Sequence, residues 1–151
     1  MTEKNELHRE FAIQCFNGVW DLLDKSDRTQ GEDSQMIHMA HASRYHWGQI
    51  GTPLEFARGD WQISRVYATL GFGVMAFKYA KYCLDLCEKH NLGDFDLAFA
   101  YEALARASAV SGGIAKAKGY LSLAESAGSE IKKEDDQKYF LSELKSVSEM
   151  L

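Results

Sequence analysis

The sequence predicts an all-α protein of about seven helices. Apolar residues recur at spacings of three and four along most of the chain, which is the period of one helix face. No convincing run alternates polar and apolar residues as a strand would. The 151 residues include one proline and twelve glycines, too few turn-forming residues for a β-sandwich. Hydrophobic residues make up 46% of the chain, which indicates a globular protein rather than a disordered one.

The length predicts a single domain, residues 1–151. The polar start of the chain and its cysteine count predict a protein of the reducing cytoplasm. The first ten residues are polar, unlike a signal peptide, and no stretch approaches the roughly 18 apolar residues of a membrane span. Three cysteines, an odd number, do not indicate a disulfide framework. The formal net charge of −5 argues against a nucleic-acid partner. We expect no membrane partner either.

The first three helices are predicted from apolar spacing and capping residues. The first covers about 7–25, and the second covers about 34–49, with Asp33 or Ser34 as its N-cap. The third has the clearest start, because Thr52 provides a capping hydroxyl directly before Pro53 at the first helical position. It continues to about residue 70, where Gly71 ends it.

The remaining four helices are bounded mainly by glycine. Gly93, Gly112 and Gly128 follow apolar-periodic segments, as glycines do at helix C-termini. Asp94 is the expected N-cap of the fifth helix. The predicted ranges are about 74–91, 95–110, 114–127 and 134–150.

Similar residues recur with an offset of 41 positions, which predicts an internal repeat. The matching pairs include a tryptophan pair, a glycine pair, an alanine pair and a tyrosine pair: Trp20 and Trp61, Gly71 and Gly112, Ala76 and Ala117, Tyr79 and Tyr120. The period divides the chain into a divergent repeat (13–53), two further repeats (54–94 and 95–128) and a capping helix (134–150).

The pattern Tyr67-x-x-x-Gly71-x-x-x-x-Ala76 resembles the junction between helix A and helix B of tetratricopeptide repeats. Gly112 and Ala117 repeat its glycine and alanine, whereas the first repeat lacks both. The resemblance implies a right-handed array of antiparallel helix pairs whose A helices line a concave, partner-binding groove. The segments 41–48, 51–53 and 57–67 are also similar to a group of small bacterial proteins, which implies no chemistry.

The third helix has an unusual stripe opposite its apolar face. Arg58, Trp61 and Arg65 recur at spacings of three and four, and Gln62 adjoins them. Arginine binds carboxylate or phosphate in a fork, and tryptophan provides a flat apolar wall. We therefore predict a groove that holds a peptide or an anionic ligand. The 41-residue offset places five further side chains beside this stripe: Trp20, Asp24, Phe99, Glu102 and Arg106.

The same residues fit a second interpretation, in which the arginines connect neighbouring helices through ion pairs. Arg65 would pair with Asp24 or Asp21. Arg58 would pair with Glu102, and Arg106 would also pair with Glu102, four residues before it on one helix. The two interpretations are compatible, since a paired arginine can still present an edge to a ligand.

Histidines provide the candidates for a metal site. His38 and His41 can share one helix face, but His46 lies about 12 Å farther along the axis than His38. A metal would therefore need a carboxylate from another helix, such as Glu55, Asp60 or Glu102. Cys83, Cys87 and His90 lie on one narrow helix face, where buried structural cysteines are the simpler interpretation.

No motif of nucleophilic catalysis, phosphate binding or dinucleotide binding occurs. The leading hypothesis is a non-enzymatic scaffold, without a cofactor, that binds a peptide or partner protein in its groove. The alternative is a metal- or small-molecule-binding helical protein, or an enzyme, that uses His41, His46 and the Arg58 to Arg65 stripe. A third hypothesis is a structural subunit or homodimer formed through the open ends of the array.

Overall fold

The computed structural model describes residues 2–151 and confirms an all-α protein with seven helices. Their bounds are α1 Glu3–Leu23, α2 Gln30–Ile50, α3 Pro53–Thr69, α4 Gly73–Lys89, α5 Asp94–Val110, α6 Ile114–Ser129 and α7 Glu134–Ser148. None of the helices in this range is both long enough and apolar enough to cross a membrane.

The helices pack as sequential antiparallel pairs. The pairs are α1 with α2, α3 with α4, and α5 with α6, and α7 packs against both α5 and α6. The odd-numbered helices also contact one another in order, from α1 to α3 to α5 to α7. Within residues 2–151, α2, α4 and α6 make no such contacts with each other. The odd-numbered helices therefore share one side of the molecule.

Two helices begin earlier than the sequence predicted. α1 begins at Glu3, where the Thr2 hydroxyl accepts a hydrogen bond from the Asn5 N–H at 3.2 Å. α2 begins at Gln30, because Thr29 and Glu32 form a reciprocal capping box. The predicted N-cap at Asp33 or Ser34 is thus wrong. The first turns of both helices are polar, so they show no apolar period, although the Thr-x-x-Glu spacing was visible.

The predicted N-cap of α3 is confirmed, whereas that of α5 is wrong, because Gly93 and not Asp94 is the N-cap of α5. Thr52 is the N-cap before Pro53, yet its hydroxyl bonds to the Glu55 carboxylate instead of a backbone N–H. Asp94 is the first residue of α5, with a φ of 56°. Its carboxylate accepts hydrogen bonds from the N–H of Phe95 at 2.7 Å and of Lys132 at 3.2 Å, which connects α5 to the segment before α7.

The turns at Gly71 and Gly112 share one geometry. Both glycines have positive φ, 85° and 80° respectively, a conformation that costs glycine little,. The N–H of Phe72 donates to the carbonyl of Tyr67, and the N–H of Gly113 donates to that of Ser108, five residues back in each case. These are Schellman caps. They reverse the chain so that α3 packs on α4 and α5 on α6.

The core is rich in small residues, above all along α5. This helix buries five alanines and one leucine on several of its sides: Ala98, Ala100, Ala103, Leu104, Ala105 and Ala107. Small side chains let neighbouring helices approach closely. Cys83 and Cys87 are free thiols buried in the same core cluster, as predicted. The central position of α5 allows it to contact α3, α4, α6 and α7.

Gly73 and Gly119 provide a matched test of this close packing. A Cβ at Gly73 would lie 3.1 Å from the Cα of Ser111, whereas a Cβ at Gly119 would meet no atom within 4 Å. Gly73→Ala should therefore lower the free energy of unfolding by about 1–3 kcal/mol. Gly119→Ala, on the exposed side of α6, should raise it by about 0.5–1 kcal/mol. Urea unfolding followed by circular dichroism measures both, and equal effects would contradict the close α4–α5 contact.

A buried carboxylate lies between α2 and α3. Asp60 is 5% exposed, and its Oδ1 accepts a hydrogen bond from Arg44 Nε at 3.1 Å. Burial raises the pKa of Asp60 to about 6, although the charge and hydrogen bond of Arg44 act in the opposite direction. The structure thus favours the protonated form of Asp60 more than the unfolded chain does.

The raised pKa of Asp60 predicts a pH dependence of stability. The folded chain binds more protons than the unfolded chain between about pH 4 and 6, so the contribution of Asp60 to stability rises as the pH falls through about 6. Between about pH 7 and 5, wild type should gain about 1 kcal/mol relative to Asp60→Asn. The lowered pKa values of His41 and His46 act with opposite sign but cancel in this comparison, because both proteins contain them. Urea unfolding of both proteins at the two pH values measures this difference. If the free energies of unfolding of the two proteins change equally between pH 7 and 5, the raised pKa of Asp60 is contradicted.

Candidate functional site

A continuous row of aromatic rings crosses the side formed by the odd-numbered helices. Trp20 of α1 lies 5.6 Å from Trp61 of α3, measured between ring centroids, and Trp61 lies 5.5 Å from Phe99 of α5. Phe99 lies 5.8 Å from Tyr139 of α7. Phe16 extends the row along α1, at 6.2 Å from Trp20. The row therefore joins four helices that are distant in sequence.

These rings border a cavity of about 360 Å³, which we call the aromatic cavity. Six of its lining residues are aromatic, three are charged and two are small: Phe16, Trp20, Trp61, Phe95, Phe99, Tyr139, Arg58, Asp96, Asp136, Ala57 and Cys83. Tyr139 is 46% exposed and the Arg58 side chain is 50% exposed, so the cavity reaches the surface. Its volume lies near the lower end of small-molecule pockets, roughly 300–1,000 Å³.

The charged part of the wall holds one arginine and two carboxylates. Arg58 donates through Nε to Asp96 Oδ1 at 2.8 Å and through a terminal nitrogen to Asp96 Oδ2 at 3.3 Å. This bidentate pair raises the pKa of Arg58, with further contributions from Glu55 and Asp136. Asp136 makes no ion pair within residues 2–151.

Four charged side chains beside the cavity form what we call the ion network: Arg65, Glu102, Arg106 and Glu143. Arg106 binds Glu102 at 2.7 Å, one turn back on α5, and Arg65 binds Glu143 of α7 at 2.8 Å. Arg65 also approaches Glu102 to 3.9 Å, and Arg106 approaches Glu143 to 3.6 Å. The network joins α3, α5 and α7 and carries no net charge.

The ion network is largely buried. The Glu102 side chain is 1% exposed, that of Arg106 is 12% and that of Arg65 is 18%. Burial opposes the charge of Arg65, but Glu102 and Glu143 outweigh it and keep the pKa of Arg65 above its ordinary value. Both arginines therefore have carboxylate partners already.

Three buried polar side-chain atoms lack a hydrogen-bond partner within residues 2–151: Trp61 Nε1, Gln62 Oε1 and Glu102 Oε2. All three belong to residues of the predicted groove. Unpaired buried polar atoms are uncommon and cost about 1–3 kcal/mol each. Of the three residues, Trp61 lines the aromatic cavity, and Gln62 and Glu102 are buried residues of α3 and α5.

Four of the nine predicted groove residues line the aromatic cavity and five do not. The four that line it are Trp20, Arg58, Trp61 and Phe99. Gln62 and Glu102 are instead fully buried, with Gln62 Nε2 donating to the Phe16 carbonyl at 2.9 Å. Arg65 and Arg106 belong to the ion network, and Asp24 is an exposed residue at the C-terminal end of α1.

The predicted ion pairs are confirmed in one case and wrong in two. Arg106 binds Glu102 as expected for residues four apart on a helix. Arg65 binds Glu143 and approaches Glu102, in place of Asp24 or Asp21, because α7 packs on α5 at this position. Arg58 binds Asp96 and not Glu102. The partners of Arg58 and Arg65 therefore depend on how three helices are placed in space.

The sequence interpretation missed several cavity residues. Phe16 and Phe95 lie one turn before Trp20 and Phe99, so a search at position i−4 would have found them,. Asp136 and Tyr139 lie three residues apart on α7, which was interpreted only as a cap. Their spacing indicates a shared helix face, but nothing local places that face against α5.

The candidate histidines do not converge. His46 Nδ1 lies 2.8 Å from His8 Nδ1, and His41 Nε2 lies 2.9 Å from the hydroxyl of Tyr67. Burial, and then the neighbouring His8, lowers the pKa of His46. Burial, and then His38, lowers the pKa of His41. Neither contact includes Arg58 or Arg65.

Metal ligands are not grouped in the described part of the chain. Within residues 2–151, no three or more histidine, cysteine, aspartate or glutamate side chains lie where they could hold a metal ion together. His38 is exposed, and His90 is the exposed C-cap of α4. Within that range, neither the candidate histidines of α2 nor His90 with the two cysteines belong to such a group.

Comparisons of the chain with protein-family models, with curated proteins and with solved structures found no match.

The ion network predicts a large cost for removing its central carboxylate. Glu102→Gln leaves two largely buried arginines with one carboxylate between them, so we expect a loss of about 2–4 kcal/mol in the free energy of unfolding. The matched control is Asp85→Asn, which breaks the exposed pair with Lys81 and should change stability little. Urea unfolding measures both, and equal small losses would contradict a structural role for the network.

Proposed function

We propose that the chain is a non-enzymatic scaffold that binds a segment of a peptide or partner protein in the aromatic cavity. The observation that carries the proposal is the cavity itself, whose aromatic walls come from four helices and reach the surface. Aromatic side chains bury large areas at little entropic cost and dominate the binding energy of interfaces. A cavity of about 360 Å³ suits one large side chain of a bound segment.

The resemblance to tetratricopeptide repeats supports the same site. In those arrays the A helices line the concave surface that partners occupy. The A helices of the proposed repeats correspond to α1, α3 and α5, and these helices supply most of the cavity wall. The proposed groove is thus the side where the aromatic row lies.

The ion network changes which residues should test the proposal. Arg65 is largely buried and bonded to Glu143, so its removal would disturb folding as well as binding. Tyr139 is a better probe, because it lines the cavity and is 46% exposed. Tyr45 of α2 is 61% exposed and lies outside the cavity lining, which makes it a matched control.

A peptide selection tests the proposal directly. Peptides selected from a random phage-displayed library on the wild-type chain should bind Tyr139→Ala at least about fivefold more weakly, since truncating an interface anchor costs more than about 1 kcal/mol. Tyr45→Ala should bind them like wild type. Isothermal titration calorimetry measures the affinities.

Nuclear magnetic resonance of the three tryptophan side chains locates the binding. The indole N–H signals of Trp20 and Trp61 should shift on peptide addition. Trp47 lies on α2, near Arg9 of α1, and its signal should stay unchanged. A selection that yields no binder, or peptides that shift Trp47 and ignore Tyr139→Ala, would contradict the proposal. If light scattering shows a concentration-dependent dimer of the wild-type chain that Tyr139→Ala abolishes, the occupant is a second copy of the chain.

A further inference from the structure

We propose that the aromatic cavity receives an arginine side chain of the bound segment, an inference that rests on the proposed function and specifies its ligand chemistry. The cavity combines aromatic rings with a carboxylate that lacks an ion-pair partner. Guanidinium groups stack on aromatic faces and bond carboxylates in a planar fork. The cavity offers both kinds of contact within one small volume.

The aromatic wall is suited to a weakly hydrated cation. Six rings border the cavity, two of them tryptophans, and tryptophan attracts cations most strongly of the aromatic side chains. A guanidinium sheds water more readily than a lysine ammonium. A cavity with this much apolar wall therefore favours arginine over lysine.

The charges of the wall favour a cation over an anion. Arg58 is neutralised by its bidentate bond to Asp96, and the charges of Glu55 and Asp136 also act on it and help to raise its pKa. Asp136 adds a second carboxylate to the lining without an arginine of its own. The three charged lining residues thus sum to one negative charge. An anionic ligand would face this charge, whereas an arginine would neutralise it.

The other arginines of the predicted groove do not offset this charge. Arg65 and Arg106 are engaged by Glu102 and Glu143 in the neutral ion network. Neither lines the cavity. The anionic ligand predicted from the sequence would therefore find no unpaired arginine at the cavity. An arginine side chain would find Asp136, a carboxylate without an ion-pair partner.

The test compares two peptides that differ only in charge. Gly-Gly-Arg-Gly-Gly and Gly-Gly-citrulline-Gly-Gly have side chains of nearly the same shape, because citrulline replaces the guanidinium with a neutral urea. Titration of the wild-type chain, followed by the indole signals of Trp20 and Trp61, should show arginine binding about threefold to tenfold more tightly. The peptides selected from the phage-displayed library should likewise be enriched in arginine.

Two variants separate the charge of Asp136 from general effects on the helix. Asp136→Asn should reduce the preference for arginine over citrulline to less than about twofold. Asp135→Asn is the control, because this neighbouring acid is exposed and does not line the cavity. It should keep the wild-type preference.

The outcomes distinguish this inference from the proposed function. Equal binding of the two peptides, no shift with either, or equal effects of the two variants would overturn the arginine assignment. Selected peptides that lack arginine but still depend on Tyr139 would also overturn it, while the proposed peptide-binding function would stand. Failure of the library selection itself would overturn the proposed function.

Discussion

The arrangement of the odd-numbered helices depends on the buried carboxylate of Glu102. A charge that is 1% exposed must be compensated nearby, because burying an isolated carboxylate costs several kcal/mol. Arg106 on the same helix supplies one partner and Arg65 on α3 approaches from another side. Glu143 of α7 then balances the second arginine. The four charges thus balance where α3, α5 and α7 meet, beside the aromatic cavity.

The aromatic cavity is a consequence of this meeting of helices. α5 is rich in alanine and packs on α4 and α6, and two of its large side chains, Phe95 and Phe99, lie on the side it shares with α3 and α7. The rings of Trp20 and Trp61 continue the same row. The site therefore has walls held by rigid helices, an arrangement that limits the conformational cost of binding.

Asp60 and the aromatic cavity lie on different sides of α3. Asp60 bonds Arg44 of α2, whereas Arg58 and Trp61 face the cavity with residues of α5. α3 is accordingly buried over most of its circumference, and Gln62 and Ser64 are as inaccessible as Ile63. A single amphipathic stripe describes this helix poorly. In the polar stripe opposite its apolar face, Gln62 is buried and Arg65 is largely buried, whereas the side chain of Arg58 is half-exposed.

The sequence by itself determined the seven helices, the turns at Gly71 and Gly112 and the Glu102–Arg106 pair, since all of these arise from contacts within a few residues,. Gly93 and Gly128 were also predicted to end helices, but Gly93 is the N-cap of α5 and Gly128 lies inside α6. The offset of 41 also placed Trp20, Trp61 and Phe99 on one side of the molecule. Only the tertiary structure decided the partners of Arg58 and Arg65, the burial of Gln62 and Glu102, and the contribution of α7 to the cavity. These features depend on how far apart helices lie and how they are turned about their axes, which the packing of the whole core sets.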